Sequence, residues 1–191
     1  VDWSRHIQLH TATTIDTLDY SGNGLNQGSK AVICVAGPPR RELATGLLSG
    51  LELPSGFSDA RICLPGVMAV SGPKSMQMVG EADPAIDQFC RFYSGRDCLQ
   101  GIGMIVVCDD SRFCADALDN LLWVTFTRSN PATDIYGVDA EQHGRHWGCR
   151  GALVIDARKK PFHAAELEED PEVERRVDAL GAMGAELHGI I

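Results

Sequence analysis

The stretch GMIVVCDD, residues 103–110, constrains the fold more than any other part of the chain. Its apolar residues run without polar alternation from Met104 to Cys108 and then meet two aspartates. A strand with apolar side chains on both faces has to be covered on both, as in the interior of an α/β sheet. Downstream, Leu118, Leu121, Leu122, Thr125 and Phe126 recur at i, i+3, i+4, i+7 and i+8. That spacing predicts a helix packed on the sheet with this stripe inward, and Pro131 ends it. Further strands are expected in KAVICVA (30–36), in ARICLPGVMAVSG (60–72) with a bend at Pro65-Gly66, in IYGV (135–138) and in GALVIDA (151–157). Helices are expected over RRELATGLLSG (40–50), over Pro84 to Tyr93 behind an Asp83 N-cap, and from Pro171 to a stop at Gly184 behind Asp170. Strands alternating with helices give an α/β class, a layered sheet with helices packed on it.

A chain of 191 residues that is 44% hydrophobic can bury one ordinary core. We place that domain at residues 30–191. Residues 1–29 are polar, rich in Thr, Gly and Asn, and lack a sustained period, so they read as an arm or loop whose ordering depends on a partner. The start at Val1, without a methionine, is expected of a processed or cut chain. A net charge of −9 and a pI near 5.0 argue against nucleic acid and anionic membrane as partners. No apolar run approaches the ~20 residues of a membrane helix, and no signal peptide is visible. The seven cysteines are odd in number and form no CxxC, which suits a reducing cytoplasm. Cys34, Cys63 and Cys108 lie in apolar runs and are expected to act as small hydrophobes.

Three polar clusters are candidates for chemistry. Asp109-Asp110 sit where a strand hands over to a helix; there a carboxylate can cap the helix, hold a metal or share a proton, and capping outweighs the rest because no third ligand stands at suitable spacing. The glycine cluster SGNGLNQGSK (21–30) fits neither a GxGxxG nor a Walker pattern and precedes a strand, so a flexible loop is expected. In EQHGRHWGCRG (141–151), His143, His146 and Cys149 recur at intervals of three and could ligate a metal. The glycines of that segment favour a mobile polar loop instead, with Glu141, His143, Arg145, His146 and Trp147 reaching over a ligand. The acidic run AELEEDPEVE (165–174) reads as a solvated start to the last helix.

The succession from Val107 through Asp109, Asp110, Trp123, Thr127, Arg128, Pro131 and Asp134, then Trp147, Gly148, Ile155, Asp156, Ala157 and Lys160, resembles the C-terminal region of the UbiD-like decarboxylases. A looser likeness reaches back to about Ser55. One departure stands out: the family often carries a third acid two residues after the aspartate pair, where this chain has Arg112. The resemblance implies a UbiD-like C-terminal domain or separate subunit of an enzyme that adds or removes carboxylate on aromatic, heteroaromatic or α,β-unsaturated acids. It implies prenylated FMN with a divalent metal and potassium, bound mainly in a preceding flavin domain. That domain would also carry the catalytic Glu-Arg-Glu set, so no catalytic residue is expected in this chain. The implied work of the chain is homo-oligomeric contact and closure over the active site, with residues 138–149 nearest the substrate; the alternatives are a non-catalytic assembly module that keeps the fold for oligomerisation only, or a small metal-binding protein using His143, His146 and Cys149. Asp109 and Asp110 then serve capping and interdomain contact, and the outward Trp123 offers a surface for self-association.

Overall fold

The computed structural model describes residues 1–15, 24–39, 41–165 and 170–190. Part of the glycine cluster (21–23), the first residue of the helix expected at 40–50, and 166–169 of the acidic run lie outside them.

A five-stranded mixed sheet carries the architecture. It is built from β3 (Ser58–Leu64), β4 (Val67–Ser71), β5 (Met104–Cys108), β6 (Ile135–Gly137) and β9 (Leu153–Asp156), in the spatial order β3-β4-β5-β9-β6. The inner strands β4, β5 and β9 run parallel; the edges β3 and β6 are antiparallel to their neighbours. The bend at Pro65-Gly66 is the β3–β4 hairpin, with Gly66 at φ +75°.

The doubly apolar β5 is covered on both faces. Ile105 and Val107 join Ile86, Phe89, Cys90 and Tyr93 of α1 (Pro84–Tyr93), whereas Val106 and Cys108 pack with Cys114 of α2 (Ser111–Asp116) and with Leu121 and Val124 of α3 (Leu118–Arg128). Helix α1 begins where its cap predicts, since the Asp83 carboxylate accepts the Ala85 N–H at 2.8 Å.

Several expectations are corrected. Residues 1–15 are not a free arm: β1 (Ile7–Thr13) pairs antiparallel with β2 (Gly28–Ile33), and Trp3 and Ile7 are buried against Leu153 and Ile155. A periodicity reading misses this because the anchor is two side chains and one long-range bond, Trp3 Nε1–H to the Gly103 carbonyl at 2.6 Å. Residues 30–33 of KAVICVA accordingly join that two-stranded ribbon, not the main sheet, and Cys34 beyond them is exposed. Residues 41–50 form no helix. The Ala44 N–H is given to the Gly101 carbonyl and the Ala44 carbonyl accepts the Gly66 N–H, so its backbone bonds go to neighbouring loops.

Helix α3 exists, but its buried side is Leu121, Val124 and Thr125, while Leu118, Leu122, Trp123 and Phe126 are exposed. The last helix, α4 (Pro171–Gly181), is capped by Asp170 as expected but stops before Gly184, and none of its residues is buried.

Candidate functional site

The carboxyl ends of β4, β5 and β9 open on one edge of the sheet, where ligands of α/β folds collect. Asp156 closes β9, on the same face as Val154 and the α1 core. A carboxylate there, with no exposed surface, needs a buried partner. Arg158 supplies it. This guanidinium, also fully buried, donates from Nε and Nη2 to the two oxygens of Asp156 (2.8 Å each), from Nη2 to Asp83 (2.7 Å) and from Nη1 to the Pro73 carbonyl (2.8 Å). Asp83 thus does two jobs, capping α1 with one oxygen and holding Arg158 with the other, which also accepts from Ser75.

Burial opposes the charge on Asp83, yet the Ala85 N–H, Arg158 and Ser75 hold its carboxyl below the ordinary aspartate range. For Arg158, burial works against the cation, and the bonds to Asp156 and Asp83 outweigh it, so its pKa rises.

A second buried cation adjoins. Lys160 Nζ donates to the Arg128 carbonyl (2.7 Å) and to the Asp156 carbonyl (2.6 Å), and pairs with the Asp134 carboxylate at 3.0 Å. Asp134 in turn accepts from the Asn130 N–H and from Gln77 Nε2, which fixes the turn between α3 and β6 around Pro131.

Asp109 and Asp110 divide their labour. Asp110 caps α2 by accepting the N–H groups of Arg112 and Phe113, and Asp109 accepts from Arg128 Nη1 and the Lys159 N–H, both at 2.8 Å. The departure at Arg112 has its own use, because its Nε pairs with Asp59 at 3.0 Å. Thr127 stays outside the network and bonds the Trp123 carbonyl within the helix. Arg128 also lies over the Trp123 ring, which Phe113 meets edge-on.

Around Asp109, Arg128 and Lys160 is an open cavity of about 610 Å³, also lined by Lys74, Lys159 and His163. Burial, and then Lys160, hold the His163 imidazole below its ordinary pKa.

The segment 138–149 is a hairpin, not a mobile loop: β7 (Ala140–His143) pairs with β8 (His146–Cys149). Its glycines serve shape more than freedom. Gly144 takes φ +63° at the turn, but a Cβ at Gly148 would stand 2.7 Å from the Trp3 carbonyl. His146 bonds the Ser4 carbonyl through Nε2, His143 leans on Glu141 at 3.4 Å, and Cys149 is buried, its thiol pushed up to about 12 by burial. These three side chains do not converge, and among the described residues no group of three His, Cys, Asp or Glu could hold a metal. Arg145 is exposed at the turn and Trp147 is partly buried against the Trp3 cluster.

Sequence reasoning missed Arg158 and the second role of Asp83. The signal was present in IDARKK, where cations stand two and four places beyond a strand-final aspartate. Spacing alone cannot say that the strand end is sealed.

No family profile matches the chain. Among curated proteins it is 28% identical over 173 residues to a 4-hydroxybenzoate decarboxylase subunit of Chlamydia pneumoniae, covering 91% of this chain and 27% of that one. Uncharacterized proteins of Chlamydia trachomatis (26% identity, 94% of this chain, 29% of that one) and Chlamydia muridarum (28%, 87% and 27%) match similarly. The chain therefore spans under a third of the length of these relatives. Among solved structures, a vanillic acid decarboxylase of Sedimentibacter hydroxybenzoicus in its open form aligns over 61% of this chain and 26% of its own, at 16% identity and a TM-score of 0.36. The resemblance to UbiD-like decarboxylases read from the residues agrees with the decarboxylase subunit among these relatives. Among the described residues no helix is long and apolar enough to cross a membrane.

Proposed function

We propose that this chain works as the C-terminal part of a UbiD-like carboxy-lyase acting on aromatic or α,β-unsaturated carboxylic acids, and that it serves oligomer contact and closure over an active site made with a flavin-binding partner domain. The observation that carries the reading is the 91% of this chain matched by a 4-hydroxybenzoate decarboxylase subunit. Its support in the structure is that most of the family-like polar residues act together: Asp109 with Arg128, and Asp134 with Lys160, which also takes the backbone carbonyls of Arg128 and Asp156.

Prenylated FMN, a divalent metal and potassium belong to the complete enzyme in this proposal. The chemical step belongs with them to the flavin-binding partner domain in this reading. What the chain contributes is mechanical. The buried ion pairs lock β9, α1 and the α3–β6 turn into one body that can move as a unit against a partner domain. The exposed row Leu118, Leu122 and Phe126, with Trp123 beside it, is the surface proposed for self-association. The hairpin tip, with His143 and Arg145, is proposed to lie nearest the substrate.

The test is to assay the complete natural polypeptide, with any co-purifying flavin-carrying subunit, for carbon dioxide release from hydroxybenzoates and cinnamates, and the 191-residue chain in parallel. The proposal expects turnover from the complete enzyme and a colourless, inert isolated chain. A complete enzyme inactive on every such acid, or stoichiometric flavin with turnover in the isolated chain, would overturn it.

A further inference from the structure

The chain is acidic overall, at −9, yet among the described residues the cavity at the strand ends is lined by the cations Lys74, Arg128 and Lys160, with Lys159 and the carboxylate of Asp109 beside them. Their bonds decide which charges remain for a visitor. Lys160 is buried, bonded to two carbonyls and paired with the Asp134 carboxylate. Asp109 is occupied by Arg128 Nη1 and the Lys159 N–H through a single oxygen. Arg128 spends one nitrogen on that pair, and its remaining N–H groups have no hydrogen-bond partner among the described residues. Lys74 is exposed and makes no ion pair among the described residues. His163 takes the Lys160 N–H on Nδ1 at 3.4 Å, which leaves Nε2 as its donor.

The rim is also held in place. Lys160 ties the end of α3 to the segment after β9, Asp109 ties the end of β5 to both, and Arg158 grips the Pro73 carbonyl beside Lys74. A fixed guanidinium fork with a nearby ammonium and a ring N–H matches an oxyanion. A volume of about 610 Å³ suits a small molecule rather than a bare ion.

We infer that the cavity beyond β4, β5 and β9 binds a small molecule through a carboxylate or phosphate group, which Arg128, Lys74 and His163 receive. The inference rests on the placement of Arg128, Lys74 and His163 at this cavity and not on the decarboxylase reading, so either can fail alone.

The experiment is calorimetric titration of the 191-residue chain at fixed ionic strength with three probes: inorganic phosphate, pyrophosphate and 4-hydroxybenzoate. Saturable binding at one molecule per chain is expected for at least one probe. Selective binding of the phosphates identifies a phosphate-bearing ligand, and selective binding of the aromatic acid a carboxylate-bearing one. Lys74→Gln, at an exposed position, should weaken that binding about tenfold, as expected for losing one charge-assisted contact. His163→Gln, which keeps a donor but not the ring, should weaken it less. Arg128→Lys should weaken it while circular dichroism shows the fold retained; if that variant unfolds, the Lys74→Gln result still decides. No saturable binding by any probe, or affinity unchanged in Lys74→Gln, would overturn the inference.

Discussion

At the scale of single residues, Arg158 carries the heaviest obligation. Its guanidinium has no exposed surface, and it faces one fully buried carboxylate and one nearly so. Replacing it with Met would leave Asp156 and Asp83 charged and uncompensated, a loss of about 3–5 kcal/mol for a broken buried pair. The expected outcome is a large fall in the urea midpoint of Arg158→Met with little change in slope. The same pair sets an acid limit. Because the folded state holds Asp83 below its ordinary pKa, the unfolded chain takes up that proton first, so the stability it contributes is complete above pH ~4 and is lost as pH falls through the depressed folded value. Acid titration of wild type against Asp83→Asn checks the sign: the variant should start less stable at about pH 7 and lose less between about pH 5 and pH 2, within the order of magnitude such linkage allows.

At the scale of elements, α3 shows what periodicity can and cannot decide. Its apolar residues fill two rows. One is Leu121, Val124 and Thr125, and the other is Leu118, Leu122 and Phe126. The helix turns the first to the sheet because Cys108, Cys114 and Val106 meet it there. Leu121→Ala is therefore expected to cost about 2–5 kcal/mol, and Phe126→Ala, at 72% exposure, under about 0.5 kcal/mol in the monomer. Chemical denaturation of the two variants at a concentration where the chain sediments as a monomer decides between the rows. A costly Phe126→Ala and a neutral Leu121→Ala would mean the helix is rotated. The hairpin β7–β8 teaches a related lesson. Of the glycines that suggest a mobile loop in sequence, Gly148 lets the Trp3 backbone approach closely and Gly144 supplies the positive φ of the turn.

At the scale of the whole molecule, the N-terminal segment completes the core. Trp3, only 5% exposed, and Ile7 cover the face of β9 that carries Leu153 and Ile155. Trp3→Ala is expected to lower stability by about 3–5 kcal/mol, and limited proteolysis should then cut within residues 1–15 before the sheet is attacked. Protection of that segment in the variant would mean the ribbon β1–β2 holds it without the indole. The sequence by itself determined the features whose causes are local: the doubly apolar β5, the Asp83-Pro84 start of α1, the stop at Pro131 and the break at Pro65-Gly66 each follow from a few neighbouring residues. Only the tertiary structure decided which row of α3 faces inward, that residues 41–50 give up helical bonds to adjoining loops, that Trp3 seals β9, and that Arg158 and Lys160 neutralise aspartates from distant elements. The physical reason is the same in each case. Burial and charge compensation depend on partners as far as a hundred residues away or more, as Trp3 and Gly103 are, and no local period records them.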